Sequence, residues 1–198
     1  MGLDCCGGFA FERCGDIYDS DFHNQSKGLS DDVLSRCISA DDAVIDIGCG
    51  VGRWCRTAAK YARLVTGIDY SKTSIQTARL NTAETNVEYI IGDVTKELAG
   101  RQFDLALLIH VIEHIDNPDE ILTSLRNVTK KLIVEVPDFE GDALNLVRLD
   151  MNCPFYSDAD HVREYTQTIL NDQLTRNGWN ILENRKNGGS VLAIAERA

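Results

Sequence analysis

The stretch V-I-D-I-G-C-G-V-G-R-W, residues 44–54, decides the fold of this chain. A short apolar run is followed at once by Gly48, Gly50 and Gly52, and helix-forming residues then continue over 53–62. This order predicts a strand, a tight glycine turn and the start of a helix. In that arrangement a nucleotide-like ligand lies against bare backbone at the carboxyl end of the strand.

The spacing of the glycines argues against a dinucleotide site. A dinucleotide fingerprint places its third glycine five residues after the first, and Arg53 occupies that position here. Asp46 stands before the turn, so the stretch reads D-x-G-x-G-x-G. This pattern resembles the first motif of the class I S-adenosylmethionine-dependent methyltransferases. Cys49 lies inside the turn and is expected to pack as a small apolar residue.

Outside this turn the chain predicts alternating strands and helices. The predicted strands are 43–47, 64–68, 87–91, 104–109, 132–136, 179–184 and 191–196. Helices are predicted at 52–62, 71–80 and 143–149, and from residues 31, 118 and 166, the last with Ile169, Leu170 and Leu174 facing inward. Nearly continuous apolar strands alternating with helices predict an α/β fold with a doubly wound, mostly parallel sheet.

The end of the chain predicts one antiparallel strand. The turn K-N-G-G-S at 186–190 is typical of a hairpin between the last two strands. This ending resembles the seven-stranded sheet of the Rossmann-like methyltransferases, in which the last strand runs antiparallel between its neighbours.

Composition predicts one domain over residues 1–198, with a loosely ordered segment at 1–29. The formal charge of −11 argues against a nucleic-acid partner, which usually needs a basic face. No apolar run approaches transmembrane length and no secretory signal is visible, so we expect a cytoplasmic protein without a membrane partner. Its oligomeric state is left open between monomer and homodimer.

The seven cysteines are an odd number and form no C-x-x-C pair. Cys5, Cys6 and Cys14 do not have the spacing of a zinc site, and reduced thiols are the simpler interpretation. We therefore predict neither a disulfide framework nor a metal.

Two downstream aspartates extend the resemblance. Asp69 ends the second predicted strand, 21 residues after Gly48, and a carboxylate there can accept hydrogen bonds from the ribose hydroxyls of S-adenosylmethionine. The alternative is an ordinary helix N-cap. Asp93 follows the third strand, and the resemblance places it at the adenine amino group, with the Val94 amide at the ring; the alternative is a simple Gly-Asp turn.

The stretch F-D-L-A-L-L-I-H-V-I-E-H-I, residues 103–115, resembles the fourth-strand motif of small methyltransferases. The resemblance implies that the backbone of His110 contacts the methionine part of the cofactor. Glu113 and His114 form a candidate acid-base pair, although matching positions in the family also serve structure. The complete set of expected cofactor contacts is Asp46, Gly48, Cys49, Gly50, Gly52, Asp69, Tyr70, Asp93, Val94 and His110.

Residues 137–165 form a long connection, and in this architecture such a segment lies over the active edge of the sheet as an acceptor-side lid. Its run D-H-V-R-E-Y-T resembles a segment common in methyltransferases of metabolites, quinone precursors and sugars. His161 is therefore a candidate general base, and the alternative is a histidine bonded to backbone at a helix entry. Tyr156 and Tyr165 either line the acceptor pocket or fill the core.

Together these features predict methyl transfer from S-adenosylmethionine, with S-adenosylhomocysteine as product, to oxygen or carbon of a small-molecule acceptor. A protein or RNA methyltransferase is one alternative. A non-catalytic S-adenosylmethionine-binding partner protein is the other, because binding residues alone do not prove turnover.

Overall fold

The computed structural model describes residues 29–152 and 161–198. The predictions made for residues 1–28, which include Cys5, Cys6 and Cys14, lie outside this part, as does Tyr156. Within it, strands and helices alternate along the chain as predicted.

The strands are β1 (Ala43–Ile47), β2 (Leu64–Asp69), β3 (Val87–Ile91), β4 (Phe103–Ile109), β5 (Thr129–Pro137), β6 (Trp179–Asn187) and β7 (Ser190–Arg197). The helices are α1 (Asp31–Cys37), α2 (Arg53–Ala58), α3 (Lys72–Asn81), α4 (Val94–Glu97), α5 (Pro118–Leu125), α6 (Ala143–Asp150) and α7 (Gln167–Arg176). Two 3₁₀ turns lie at Ile112–His114 and Phe139–Gly141.

All seven strands form one sheet in the order β3-β2-β1-β4-β5-β7-β6. The five strands from β3 to β5 are parallel to one another, and β7 pairs antiparallel with both β5 and β6. The predicted fold, a doubly wound sheet with an antiparallel last strand between its neighbours, is confirmed. The order reverses between β1 and β4, so the carboxyl ends of these two strands flank the crevice where α/β folds bind ligands.

Alternate residues of the central strands enter two separate hydrophobic cores. Ile45 and Leu108 belong to the larger cluster, whereas Val44 and Leu107 belong to the other. Since both faces of the sheet are covered, β1 is buried along its whole length. This packing fixes the positions of the strand ends that carry the candidate site.

Local signals placed most helices correctly, although α2 ends at Ala58, four residues before its predicted end. The Ser30 and Thr166 side chains cap α1 and α7 by accepting hydrogen bonds from the backbone nitrogens of Val33 and Ile169. The inward position predicted for Ile169 is wrong, because its side chain is 46% exposed. The short helix α4 was not predicted.

Among the described residues, no helix is both long and apolar enough to cross a membrane.

Candidate active site at the carboxyl edge of the sheet

The glycine turn after β1 has a backbone that side chains would not tolerate. Gly48 and Gly52 have φ angles of 66° and 77°, in the left-handed region that favours glycine. A Cβ on Gly52 would lie 2.1 Å from the Tyr89 hydroxyl oxygen, and one on Gly48 would lie 2.7 Å from Val111 Cγ2. A Cβ on Gly50 would meet no described atom within 4 Å, so the backbone there is open to a ligand.

Asp69 joins this turn to the end of β2. Its Oδ2 accepts a hydrogen bond from the Gly50 nitrogen at 2.8 Å, and its Oδ1 accepts one from the Ser71 nitrogen at 2.8 Å. Burial raises the pKa of Asp69, and these two backbone hydrogen bonds oppose that rise. Each carboxylate oxygen keeps acceptor capacity for a ligand hydroxyl. Asp69 therefore orients the turn and can also bind ribose. The N-cap of α3, weighed as its alternative role, is instead Ser71, whose Oγ accepts a hydrogen bond from the Ser74 nitrogen at 3.1 Å.

Asp46 lies beneath the turn and is 2% exposed. Its Oδ2 accepts a hydrogen bond from Cys55 Sγ at 3.1 Å. Burial raises the pKa of Asp46 to about 7. Cys49 is buried in a hydrophobic cluster, as expected for a small apolar residue. Asp46 thereby links β1 to α2 across the turn, and Cys49 packs the turn against the core.

Asp93 at the end of β3 is the N-cap of α4. Its Oδ1 accepts hydrogen bonds from the Thr95 nitrogen at 2.9 Å and from Thr95 Oγ1 at 2.6 Å. The Thr95 hydroxyl holds the pKa of Asp93 below its usual value. This is the local turn role weighed as the alternative, and the adenine contact of Asp93 stays a prediction. Tyr70 is 64% exposed beside it, and Val94 is buried.

His110 at the end of β4 lies between two buried carboxylates. Its Nδ1 is 3.3 Å from Glu113 Oε1 and its Nε2 is 3.6 Å from Glu135 Oε1. Burial disfavours the charged ring, but the interactions with Glu113 and Glu135 outweigh burial and raise the pKa of His110 to about 10. The backbone φ of His110 is 56°, unusual for a residue other than glycine. Such strain is typical of functional sites.

Glu135 was missed by the sequence interpretation. It is fully buried in β5, and its Oε2 accepts a hydrogen bond from the Leu29 nitrogen at 2.8 Å. A single charged residue inside the apolar run L-I-V-E-V was the available signal, because a buried carboxylate needs a partner. Its partner His110 could not be identified from the sequence, since His110 follows the neighbouring strand β4.

The fold brings the two predicted catalytic histidines together. The His114 and His161 rings lie 5.0 Å apart at an interplanar angle of 69°. The Val162 nitrogen donates a hydrogen bond to the Glu113 carbonyl oxygen at 3.0 Å, which anchors the end of the 137–165 segment to the 3₁₀ turn after β4. His161 is 8% exposed. Tyr165 is 1% exposed in the larger core, so of its two predicted roles it fills the core.

The site thus consists of two groups on neighbouring strands. The turn after β1, with Asp69, offers backbone donors and carboxylate acceptors that suit an adenosyl ligand. The end of β4 offers imidazole and carboxylate groups that can hold or move a proton. Val111 lies against Gly48 and connects the two groups.

Comparison with known proteins gives the same assignment. Residues 45–132 match the family described as a methyltransferase domain. Over these 88 of its 198 residues the chain resembles methyltransferases. The predicted family is confirmed on the segment that contains the glycine turn, Asp69, Asp93 and His110.

Individual relatives of the methyltransferase domain match over part of their length. The ubiquinone biosynthesis O-methyltransferase of Alkalilimnicola ehrlichii is 30% identical over 105 residues, which are 50% of this chain and 42% of that protein. The enzyme of the same name from Brucella ovis is 32% identical over 89 residues, 43% of this chain and 36% of that protein. The chain therefore spans less than half the length of these curated relatives.

A solved structure matches over nearly the whole chain and supports the fold. Magnesium protoporphyrin IX methyltransferase from Synechocystis PCC 6803, solved with bound S-adenosylhomocysteine, has a TM-score of 0.71 at 18% identity. The match covers 96% of this chain and 95% of that one.

Proposed function

We propose that this protein transfers the methyl group of S-adenosylmethionine to an oxygen or carbon atom of a small-molecule acceptor. The observation that carries the proposal is the glycine turn after β1, held by Asp69 and open at Gly50. These features fit an adenosyl group, because the Gly50 backbone can be approached closely and Asp69 can accept hydrogen bonds from ribose. The match of residues 45–132 to a methyltransferase domain supports the same cofactor.

The cofactor supplies an activated methyl group, so the protein's task is to position the acceptor. Holding two reactants in line can lower a barrier by ~7 kcal/mol or more. The 3₁₀ turn after β4 and residues 161–165 place His114 and His161 beside this edge of the sheet. Either imidazole can take the proton from a hydroxyl acceptor, a contribution of about 10²- to 10⁴-fold.

A small-molecule acceptor is favoured by the low exposure of this histidine pair, 8% for His161 and 10% for the His114 side chain, since a macromolecule would need open access to it. The formal charge of −11 also disfavours RNA. The names of the curated relatives that match this chain favour oxygen as the acceptor atom.

We also infer that the protein works in the cytoplasm. Its described cysteines Cys37, Cys49 and Cys55 are free thiols, which fits a reducing compartment. Whether it is a monomer or a homodimer stays open, and sedimentation analysis would decide between them.

Cofactor binding is tested by replacing Asp69. Asp69→Ala should weaken S-adenosylmethionine binding by about 1.5–3 kcal/mol, because hydrogen bonds to a charged group are lost. Calorimetry on the folded variant measures this loss. Asp172→Ala, at an exposed position on α7, is the matched control and should bind like the unchanged protein. Equal affinities in the two variants would rule out the ribose contact.

Acceptor class is tested by release of S-adenosylhomocysteine. Hydroxylated small molecules, total RNA and a mixture of unfolded proteins are offered in parallel to the full chain. Turnover with small molecules is the expected result. Turnover with RNA or protein alone would overturn the acceptor class, and tight cofactor binding without turnover in any arm would favour a non-catalytic binder.

A further inference from the structure

We propose that Glu113, His114 and His161 form a binding site for a divalent transition-metal ion. One ligand atom from each of the three side chains can be chosen so that all three atoms lie within 4.8 Å of one another. Ligands around a tetrahedral ion at ~2.1 Å lie ~3.4 Å apart, so rotation of the side chains would bring them into coordinating range. Two imidazoles and one carboxylate are the donor set of many zinc and non-haem iron sites.

The burial of the Glu113 carboxylate is an independent observation that points to a bound cation. The Glu113 side chain is 1% exposed. Oε2 has no hydrogen-bond partner among the described residues, and Oε1 has an ion-pair contact with His110 Nδ1, at 3.3 Å. Buried carboxylates are unfavourable unless positive charge balances them, and His110 lies between Glu113 and Glu135, so one imidazolium can balance only one of these two carboxylates. Glu113 Oε1 lies 4.0 Å from His114 Nε2, so this oxygen is directed toward the proposed ligands.

The backbone holds the three ligands in place from two distant segments. Glu113 and His114 are consecutive in the 3₁₀ turn after β4. The Val162 nitrogen donates to the Glu113 carbonyl oxygen at 3.0 Å, which sets His161 beside that turn. Arg163 adds a second link by donating to the Asp116 carbonyl oxygen at 2.7 Å. A ligand set supported by backbone contacts is suited to hold an ion with little reorganisation.

Glu164 orients the His161 ring. Its Oε1 lies 3.4 Å from His161 Nδ1. Histidines that bind a metal through one ring nitrogen commonly contact a carboxylate through the other, and that contact fixes the ring and strengthens the ligand. The pair formed by His161 and Glu164 has this arrangement.

The place of the site gives the ion a role. It lies after the carboxyl end of β4, next to the strand that carries the glycine turn. A divalent ion there would bind an acceptor oxygen and favour its ionised form. This role rests on the proposed methyl transfer, whereas metal binding itself does not. The two histidines would then coordinate the ion instead of acting as proton acceptors. The cysteine spacing could not predict such a site, because its ligands are not cysteines.

The test is a metal titration of the full chain after chelator treatment. Zn²⁺ and Co²⁺ are the probes, with Mg²⁺ as the comparison that prefers oxygen ligands. We expect one Zn²⁺ per chain, at least 100-fold weaker binding in Glu113→Gln and His161→Gln, and about 10-fold weaker binding in Glu164→Gln. Glu120→Gln, an exposed carboxylate on the neighbouring helix α5, is the control and should bind Zn²⁺ normally. The Co²⁺ complex should show the visible absorption of a site with nitrogen and oxygen ligands.

S-adenosylhomocysteine affinity is measured on the same samples as an independent check of folding. Variants that lose Zn²⁺ and keep this affinity support the site, because the rest of the active edge is intact. If Glu113→Gln does not fold, His114→Gln and His161→Gln decide by the same criterion. Failure of the unchanged protein to bind stoichiometric Zn²⁺, equal Zn²⁺ affinity in the variants, or a preference for Mg²⁺ would overturn the proposal. Zn²⁺ binding without methyl transfer would leave the site in place and remove only the role given to the ion.

Discussion

At the scale of single residues, two effects exclude a side chain at Gly52, its positive φ angle and its close contact with Tyr89. The contributions of these two effects to stability can be measured separately. Gly52 and Gly100 have nearly the same φ, 77° and 76°. A Cβ on Gly52 would collide with Tyr89, whereas one on Gly100 would meet no described atom within 4 Å. Gly100 is therefore a matched control for the contribution of φ alone.

Gly100→Ala should lower the free energy of unfolding by about 1 kcal/mol, the cost of a left-handed backbone for alanine. Gly52→Ala should lower it by about 1–3 kcal/mol more, because the added methyl displaces Tyr89 and overpacks the turn. Urea denaturation of both variants measures the difference. Equal losses would mean that the turn relaxes around the methyl group and that the contact with Tyr89 is not limiting.

Asp46 gives a prediction for pH. Burial raises its folded-state pKa to about 7, well above the ordinary value of a carboxyl group. Between about pH 4 and pH 7 the unfolded chain has released this proton while the folded protein retains it, so the stability contributed by Asp46 is lost as pH rises toward 7. Each unit of the shift corresponds to ~1.4 kcal/mol.

Asp46→Asn should remove this loss. The stability of the variant relative to the unchanged protein should therefore rise by ~2–4 kcal/mol between pH 4.5 and pH 8. Urea denaturation across this pH range measures the effect, and the exposed Asp172→Asn should show no such trend. Parallel pH profiles for Asp46→Asn and the unchanged protein would place the Asp46 pKa near its ordinary value.

At the scale of elements, the 137–165 segment divides into two unlike parts. The helix α6 exposes Leu144, Val147 and Leu149 by 51%, 51% and 62%. In the second part, residues 161–165, the Tyr165 side chain is buried and the Val162 nitrogen donates a hydrogen bond to the Glu113 carbonyl oxygen. Few buried contacts favour local opening, so only the first part has the character of a lid.

Hydrogen exchange should distinguish these parts. Amides of α6 are expected to exchange faster than the Val162 amide in the free protein and to become protected when S-adenosylhomocysteine and an acceptor are both present. The amides of β5 serve as the internal reference, because that strand lies inside the sheet. Unchanged exchange over α6 with both ligands bound would contradict the lid.

Elements with local signals were predictable from the sequence, and contacts between distant segments were not. Ser30 and Thr166 cap helices because their side chains bond to nitrogens three residues later. The prediction for Ile169 was wrong because helical periodicity identifies the apolar face of α7 but does not say how much of that face the sheet covers. The contact of His110 with Glu135 depends on the pairing of β4 with β5, and no local pattern encodes that pairing.

At the scale of the whole molecule, one sheet carries the glycine turn, Asp69 and His110. Their positions, at the end of β2 for Asp69 and directly after β1 and β4 for the other two, depend on the parallel register of neighbouring strands. A ligand that binds at these strand ends should therefore stabilise the folded state as a whole. Thermal unfolding can then report on the choice of ligand.

A panel of nucleotides should separate a methyltransferase site from a dinucleotide site. S-adenosylhomocysteine at 100 times its Kd should stabilise the protein by ~2.7 kcal/mol, or about 5–11 °C in Tm for a chain of this size. NADH and NADPH at the same concentration should shift Tm by less than about 1 °C, because Arg53 stands where the third glycine of a dinucleotide fingerprint allows close helix packing. A larger shift with NADH would mean that the turn accepts a pyrophosphate. The adenosyl assignment of Asp69 and the proposed methyl transfer would then both be wrong.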